Sequence, residues 1–379
     1  MWPHVPRPAL AAQYLAPVLE FGVRALTLFA GRGIGKTAFI LQDLIPLAQS
    51  RGFLCVYVDL WECSEGPAAG IALALEAATV RGKSTKIAAL SRTARRLLPM
   101  SVSEAGADIQ MLGQKASLKF GFKSDERTKA QQGERLIVAF ERLMQVAGKR
   151  QVLLVLDEAQ TLASPSHEAL IKALRAAFQR YDAQLVRVFT GSSRMGLERM
   201  FRRSRAPLFG QGGNVETFPP LGTGFVAEIA AWFAQRTGGA ELGERAASAG
   251  FAKLRHSARL FRSAVESVLV GRSPNITLAC HHVMNDLVED HELKTRLAGL
   301  TGLQWAVLRL VWAQGTDLFS AGTLARLGNQ LAVTVEAAHI QTALKRLERL
   351  ELIYRLEHGE YRIELAELEL LLENFDAKS

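Results

Sequence analysis

The feature that most constrains this chain is the run Ala30-Gly31-Arg32-Gly33-Ile34-Gly35-Lys36-Thr37. An apolar stretch, Ala25 to Ala30, precedes it and reads as a buried strand; helical spacing follows it from Thr37 to Ser50. A strand that passes through a glycine-rich turn into a helix can wrap its backbone N–H groups around a phosphate, because glycines put no Cβ in the way. The helix turns the positive end of its dipole to the same anion. Lys36 is then placed to reach the β- and γ-phosphates, and the Thr37 hydroxyl to bind magnesium. The whole run Ala30, Gly31, Arg32, Gly33, Ile34, Gly35, Lys36 and Thr37 is the expected nucleotide-binding loop, and it requires an α/β core around it.

The rest of the first half supplies that core. Phe53–Leu60, Gln151–Asp157 and Leu185–Gly191 read as further buried strands, with Val215–Phe218 as a short fifth. Helical patterns lie between them at Pro67–Thr79, Leu136–Val146 and His167–Tyr181, and another, over residues 8–21, precedes the first strand. Strands alternating with helices predict a parallel sheet. The strand at 152–156 ends in Asp157-Glu158. A carboxylate at the C-terminal end of a neighbouring parallel strand lies near the phosphate loop. Asp157 is the expected second magnesium residue, and Glu158 the group that orients and polarises an attacking water.

The fourth strand leaves the sheet as Thr190-Gly191-Ser192-Ser193-Arg194, with Thr190 and Ser192 as candidate sensors of the γ-phosphate. Arg199, Arg202, Arg203 and Arg205 follow. An arginine given to a neighbouring subunit's γ-phosphate stabilises transition-state charge, and Arg203 is the candidate. A nucleic-acid contact or a solvated helix face explains the same cluster. Further on, Arg259 is a candidate to reach over the nucleotide from a helical lid.

Residues 81–135 carry twelve Lys/Arg against five Asp/Glu, a net +7, with a hairpin-like alternation at Gly113–Phe122. They read as a basic insertion, suited to nucleic acid or simply to solvent. The whole chain of 379 residues has a net charge of +9, which suits an acidic partner. From Gly222 the pattern is helical to about residue 315. Two short helical patterns, a longer one at Val335–Leu350 and an alternating stretch at Leu352–Leu365 centred on His358-Gly359 then suggest a winged helix. Its third helix carries Gln341, Thr342, Lys345, Arg346 and Arg349, yet residues 294–379 hold ten Lys/Arg and eleven Asp/Glu. DNA and a protein partner are both left open for it. The expected divisions are an ATPase domain at 1–220, a lid at 221–295 and a winged helix at 296–379.

Three cysteines, Cys55, Cys63 and Cys280, fit neither a disulfide framework nor a zinc cluster. The sequence has no apolar run of membrane-spanning length and no secretory pattern at its start, so no membrane partner and a cytoplasmic location are expected.

Taken together, the Ala30–Thr37 loop, Asp157-Glu158, the Thr190–Arg194 strand exit, the Arg259 segment and the C-terminal pattern resemble an AAA+-type P-loop ATPase. Within that class the chain is similar to the archaeal-type ATPases and the origin-recognition lineage. The resemblance implies a sheet of order 5-1-4-3-2, ATP and Mg2+ as cofactors, nucleotide-controlled assembly into a homo-oligomer, and frequently DNA. A DNA-associated regulator in replication, transposition or another mobile-element process is the expected function. A STAND-like signalling or defence switch acting on a protein partner, with Arg194 as phosphate sensor, is the alternative. The sequence departs from the class in the long interval between Lys36 and Asp157 and in lacking the sensor asparagine common in AAA+ proteins.

Overall fold

A computed structural model describes residues 2–64, 66–95, 126–201, 206, 208–288, 291–313, 317–355, 360–364 and 368–372. The hairpin expected at Gly113–Phe122, the arginines 202, 203 and 205, and the turn at His358-Gly359 lie outside these residues. The first half alternates as expected: α1 (Pro8–Phe21), β1 (Ala25–Phe29), α2 (Lys36–Phe39), α3 (Ile45–Ser50), β2 (Leu54–Asp59), α4 (Pro67–Arg95), α5 (Glu126–Ala147), β3 (Val152–Asp157), α6 (Glu168–Arg180), β4 (Leu185–Gly191), α7 (Arg194–Phe201) and β5 (Val215–Thr217). Both ends of the stretch read as an insertion are helical, because α4 runs on to Arg95 and α5 begins at Glu126.

The five strands form one sheet in the order β2-β3-β4-β1-β5, and every pairing is parallel. This is the expected 5-1-4-3-2 order read from the other edge. Parallel strands buried on both faces have no need of polar alternation; β3 (VLLVLD) and β4 (LVRVFTG) are buried along their whole length. One face packs α4, α5 and α6 through Leu75, Phe140, Leu174 and Phe178. The other packs α1 and the α2–α3 helix through Tyr14, Phe39, Ile40 and Leu44. Because all strands point the same way, β1, β2, β3 and β4 deliver their C-terminal ends to one edge.

Between α2 and α3 the helix widens into a π-helical turn at Ile40–Leu44. Helical spacing alone does not distinguish this turn from α-helix. It brings the buried Asp43 towards the N-terminal segment, where the Asp43 carboxylate accepts a hydrogen bond from the Arg7 N–H at 3.0 Å and pairs with His4 Nε2 at 3.0 Å. Such π-bulges are frequent at functional sites.

Helices α8 (Thr223–Thr237), α9 (Glu244–Lys253), α10 (Ala258–Leu269) and α11 (Ile276–Val288) bury Phe225, Ile229, Phe251 and Phe261 among themselves. Then come α12 (His291–Ala298), α13 (Gly302–Ala313), α14 (Ala321–Leu331) and α15 (Ala337–Arg349), followed by the antiparallel strands β6 (Ile353–Arg355) and β7 (Tyr361–Ile363). They share a separate core that includes Val307, Leu327, Ile340, Leu344, Leu347 and Ile353.

Phe189, on the central strand β4, is fully buried and meets Phe178 at 6.0 Å and Phe201 at 4.6 Å between ring centroids. Phe189→Ala should cost about 3–5 kcal/mol. Urea unfolding followed by tryptophan fluorescence should show an earlier midpoint with an unchanged slope.

Candidate active site

The phosphate loop leaves β1 beside the exit of β4, and the Ala30 N–H donates to the Gly191 carbonyl at 3.2 Å. Gly33 and Gly35 have φ of +80° and +94°, a region that favours glycine. Lys36 opens α2 and is buried, so its ammonium is held inside rather than free in water.

Asp157 ends β3 with no exposure to solvent. Its carboxylate accepts from the Thr37 hydroxyl at 2.7 Å, the Tyr57 hydroxyl at 3.0 Å, the Thr190 hydroxyl, and the N–H of Glu158 at 3.1 Å. Burial, then the Asp157 charge, push the Tyr57 phenol well above its ordinary range, so it stays a donor.

Glu158 stands on a left-handed backbone (φ 55°) just past the strand. This turn directs its carboxylate to Lys36 Nζ at 3.2 Å, to Ser192 through its hydroxyl at 2.6 Å and its N–H at 3.3 Å, and to Gln160 Nε2 at 2.5 Å. Burial favours the neutral acid, but Lys36, Ser192 and Gln160 outweigh it and hold the carboxyl below its ordinary range. Glu158 is therefore ionised at neutral pH. The two candidate sensors each touch one member of the acidic pair, Thr190 on Asp157 and Ser192 on Glu158.

Of these groups, Lys36, Thr37 and Glu158 line one side of a cavity of about 640 Å3 that also includes Arg32, Ile34, Asp59 and Trp61, while Asp157 and Ser192 support Thr37 and Glu158 from behind. Its size is that of a site for a small organic ligand. The far side comes from the lid and the N-terminal segment: Trp2, His4, Arg7, Leu221, Phe225, Arg259 and Arg262. Ser257 caps α10, and the next turn sits directly on the phosphate loop, where the Arg259 N–H donates to the Gly33 carbonyl at 3.1 Å. A Cβ on Gly33 would lie 2.8 Å from both Arg259 Cβ and Ser257 Oγ. Arg259, the candidate lid residue, thus lies beside the phosphate loop.

Several residues at the site carry no role in the sequence reading. Arg7 donates to the Gly35 carbonyl at 3.3 Å, and its guanidinium lies 5.0 Å from the Phe39 ring centroid and 4.5 Å from that of Phe218. Trp2 packs at a tilt against Trp232 of the lid, with ring centroids 4.2 Å apart. Tyr57, Asp59 and Gln160 complete the acidic edge. The clue to Gln160 is its place two residues after Glu158; nothing local marks Trp2 or Arg7. Arg194 is not among the residues that line this cavity; its guanidinium lies beside the rings of Phe29 and Tyr354. Arg199 pairs with Glu351 at 3.5 Å. Arg203 is outside the described residues.

The donor set fits a nucleoside triphosphate with a hard divalent cation. The loop amides and Lys36 would meet polyphosphate, and Thr37 with Asp157 would offer the adjacent oxygens that magnesium takes from protein when phosphates fill most of its shell. Among the described residues there is no group of three or more His, Cys, Asp or Glu side chains able to hold a metal on its own.

No protein-family model matches the chain, and no curated protein is significantly similar to it. Among solved structures it is similar to the Walker-type ATPase of Pyrococcus abyssi, with 14% identity and a TM-score of 0.55 over 97% of this chain and 95% of that one. Cdc6p from Pyrobaculum aerophilum has 14% identity and a TM-score of 0.43 over 99% of this chain and 95% of that one. RuvB from Thermotoga maritima has 16% identity and a TM-score of 0.38 over 94% of this chain and 92% of that one. The last two are too distant to bear on the argument. The likeness to the first, together with the strand order, shows the fold: a five-stranded parallel α/β sheet of the kind found in that Walker-type ATPase.

Gly33→Ala should force α10 off the phosphate loop. Binding of a fluorescent ATP analogue should weaken at least about fivefold, as expected of a strained, overpacked contact costing about 1–3 kcal/mol, while far-UV circular dichroism stays unchanged.

Proposed function

We propose that this protein binds ATP with magnesium and hydrolyses it slowly, as a DNA-associated AAA+-type regulator. The observation that carries the reading is the convergence of Lys36, Thr37, Glu158 and Arg259 on one cavity, with Asp157 and Ser192 hydrogen-bonded to Thr37 and Glu158 behind its wall. Trp2, Val5, Leu221 and Phe225 give that cavity an apolar end suited to a base. The chain has no Asn-Lys-x-Asp guanine-reading motif, which favours ATP over GTP.

In this reading the loop amides and Lys36 bind the β- and γ-phosphates, and Thr37 and Asp157 hold magnesium. Magnesium, when bound, neutralises charge that builds on the phosphate oxygens. Glu158 orients the attacking water and accepts its proton. A γ-phosphate competes with Glu158 for Lys36 and so loosens the pair seen here. Arg259, fixed to Gly33 through its own backbone, adds positive charge from the lid, so the closed lid is favoured by the triphosphate more than by the product. An arginine in trans, with Arg203 as its candidate, belongs to the same scheme if subunits assemble.

The C-terminal helices and hairpin are read as a winged helix. On α15, Ile340, Ala343, Leu344 and Leu347 face the core, while Gln341, Thr342, Lys345, Arg346 and Arg349 are exposed along one side. That side suits a nucleic-acid groove: the amide and hydroxyl for base edges, the cations for phosphates. Its local charge offsets a module whose total is near neutral. The signalling-switch alternative loses the support of Arg194, which the cavity does not include, but gains some from the docking of this module on the core.

Magnesium-dependent ATP turnover with and without duplex DNA tests the reading. Wild type should be stimulated by DNA and Lys36→Ala inactive; Glu158→Gln should still bind ATP but lose about 10²–10⁴-fold in turnover. Turnover indifferent to DNA moves the reading to the signalling switch, and no turnover under any condition overturns it. Replacing Lys345, Arg346 and Arg349 together by Ala should weaken DNA binding and flatten its dependence on salt by roughly one unit of slope for each phosphate that is no longer neutralised. Fluorescence anisotropy at several salt concentrations measures both effects.

A further inference from the structure

The C-terminal module meets the core at the turn where β4 gives way to α7. Tyr354 of β6 lies edge-on to Phe29, the last residue of β1, at 5.9 Å between centroids. The Arg194 guanidinium is 5.9 Å from the Phe29 ring and 5.5 Å from the Tyr354 ring, and it also pairs with Glu198. Farther along α7, Arg199 pairs with Glu351. On the lid side, Leu370 is buried among the lid helices and Glu369 pairs with Arg255 at 3.5 Å. The module therefore grips the core and the lid together.

Glu364, next after β7, is the residue this packing does not explain. It is 4% exposed, and its carboxylate faces the Ser193 hydroxyl and the N–H groups of Arg194 and Met195 at the start of α7. With none of them does it reach full hydrogen-bond geometry. A buried carboxylate so loosely satisfied is costly, and burial pushes it up to about 7. The positive end of α7 is the local feature that favours its charge. The residue on the other side of Ser193 is Ser192, which gives both its N–H and its hydroxyl to Glu158. Two consecutive serines are thus each approached by a carboxylate, Ser192 by Glu158 from the site and Ser193 by Glu364 from the C-terminal module.

We propose that Glu364 is a positioning residue for hydrolysis: the docked module, through Glu364, fixes the Ser192–Met195 turn so that Ser192 keeps Glu158 engaged, and release of the module frees Glu158 to act on water. This rests on Glu158 being the base of the reaction. While Lys36, Ser192 and Gln160 all occupy its carboxylate, Glu158 has little capacity left to accept a proton. A partner that draws the C-terminal module off the core therefore speeds turnover; the equilibrium coupling runs both ways, so loosening Ser192 from Glu158 loosens the module.

The test combines steady-state turnover with amide hydrogen exchange on the full chain. Glu364→Lys puts a like charge against the helix N-terminus. It should raise kcat at least about fivefold, the lower end of ordinary coupling between sites. KM for ATP should stay within about twofold, because binding groups are untouched. Exchange should rise at Ile353–Arg355 and Arg194–Phe201. Tyr354→Ala loosens the same contact without adding charge and should act in the same direction, which separates release from misfolding. In a Ser192→Ala background, Glu364→Lys should add nothing to kcat. A released module with unchanged kcat overturns the proposal, as does an effect that persists without the Ser192 hydroxyl. If wild type turns over no ATP, the hydrolysis reading fails separately, and exchange alone decides: Ser192→Ala must raise exchange at Ile353–Arg355, and unchanged exchange there overturns the coupling.

Discussion

A carboxylate with no access to water ends the central part of the sheet, and the site is organised by what that carboxylate needs. An unpaired buried charge costs several kcal/mol or more. Asp157 avoids that cost through donors from Thr37, Tyr57, Thr190 and the following N–H. Those donors come from the helix behind the phosphate loop and from the two strands that flank β3. They can meet only if the sheet is parallel and in register, with Asp59 opposite Asp157 and Leu156 opposite Phe189. The strand order is therefore what allows a magnesium-type oxygen pair, a buried lysine and an ionised glutamate to lie within a few ångströms of one another.

The cavity closes over this edge through contacts between segments far apart in sequence. The lid rests on Gly33 because only a glycine leaves room for Ser257 and Arg259. The N-terminal segment rests on Asp43, which the π-helical turn brings round to His4 and Arg7. Arg262 adds a tie, donating to the Pro3 carbonyl at 3.1 Å. A ligand in the cavity thus touches the core, the lid and the N-terminal segment at once, which gives its charge leverage over their arrangement.

The features legible in the sequence are those whose chemistry is local. Gly33, Gly35, Lys36 and Thr37 declare a phosphate loop because backbone curvature and side-chain role are set within eight residues. The buried strands show as apolar runs, and Asp157-Glu158 stands out as acid at the end of such a run. What is not legible depends on tertiary placement. Arg7 takes its position from Phe39, Phe218 and Gly35, none of them near it in the chain. Arg194 reads as a phosphate sensor from its place after β4, yet the aromatic pair Phe29 and Tyr354 holds it elsewhere, and Tyr354 arrives from a separate module. The π-helical turn is invisible because Ile40, Leu44 and Ala48 fit α-helical spacing equally well.

The most direct measurement is a calorimetric titration of a non-hydrolysable ATP analogue into the full chain, with and without magnesium, for wild type and Thr37→Ala. Thr37 is an exposed residue, and without its hydroxyl Asp157 keeps its donors from Tyr57, Thr190 and the Glu158 N–H. If the Thr37–Asp157 pair is where magnesium joins the nucleotide, magnesium should tighten binding to wild type by at least about tenfold, roughly 1.4 kcal/mol, and leave the variant nearly unaffected. Equal tightening in both proteins, or binding indifferent to magnesium in wild type, would contradict the account of this cavity as a magnesium–ATP site.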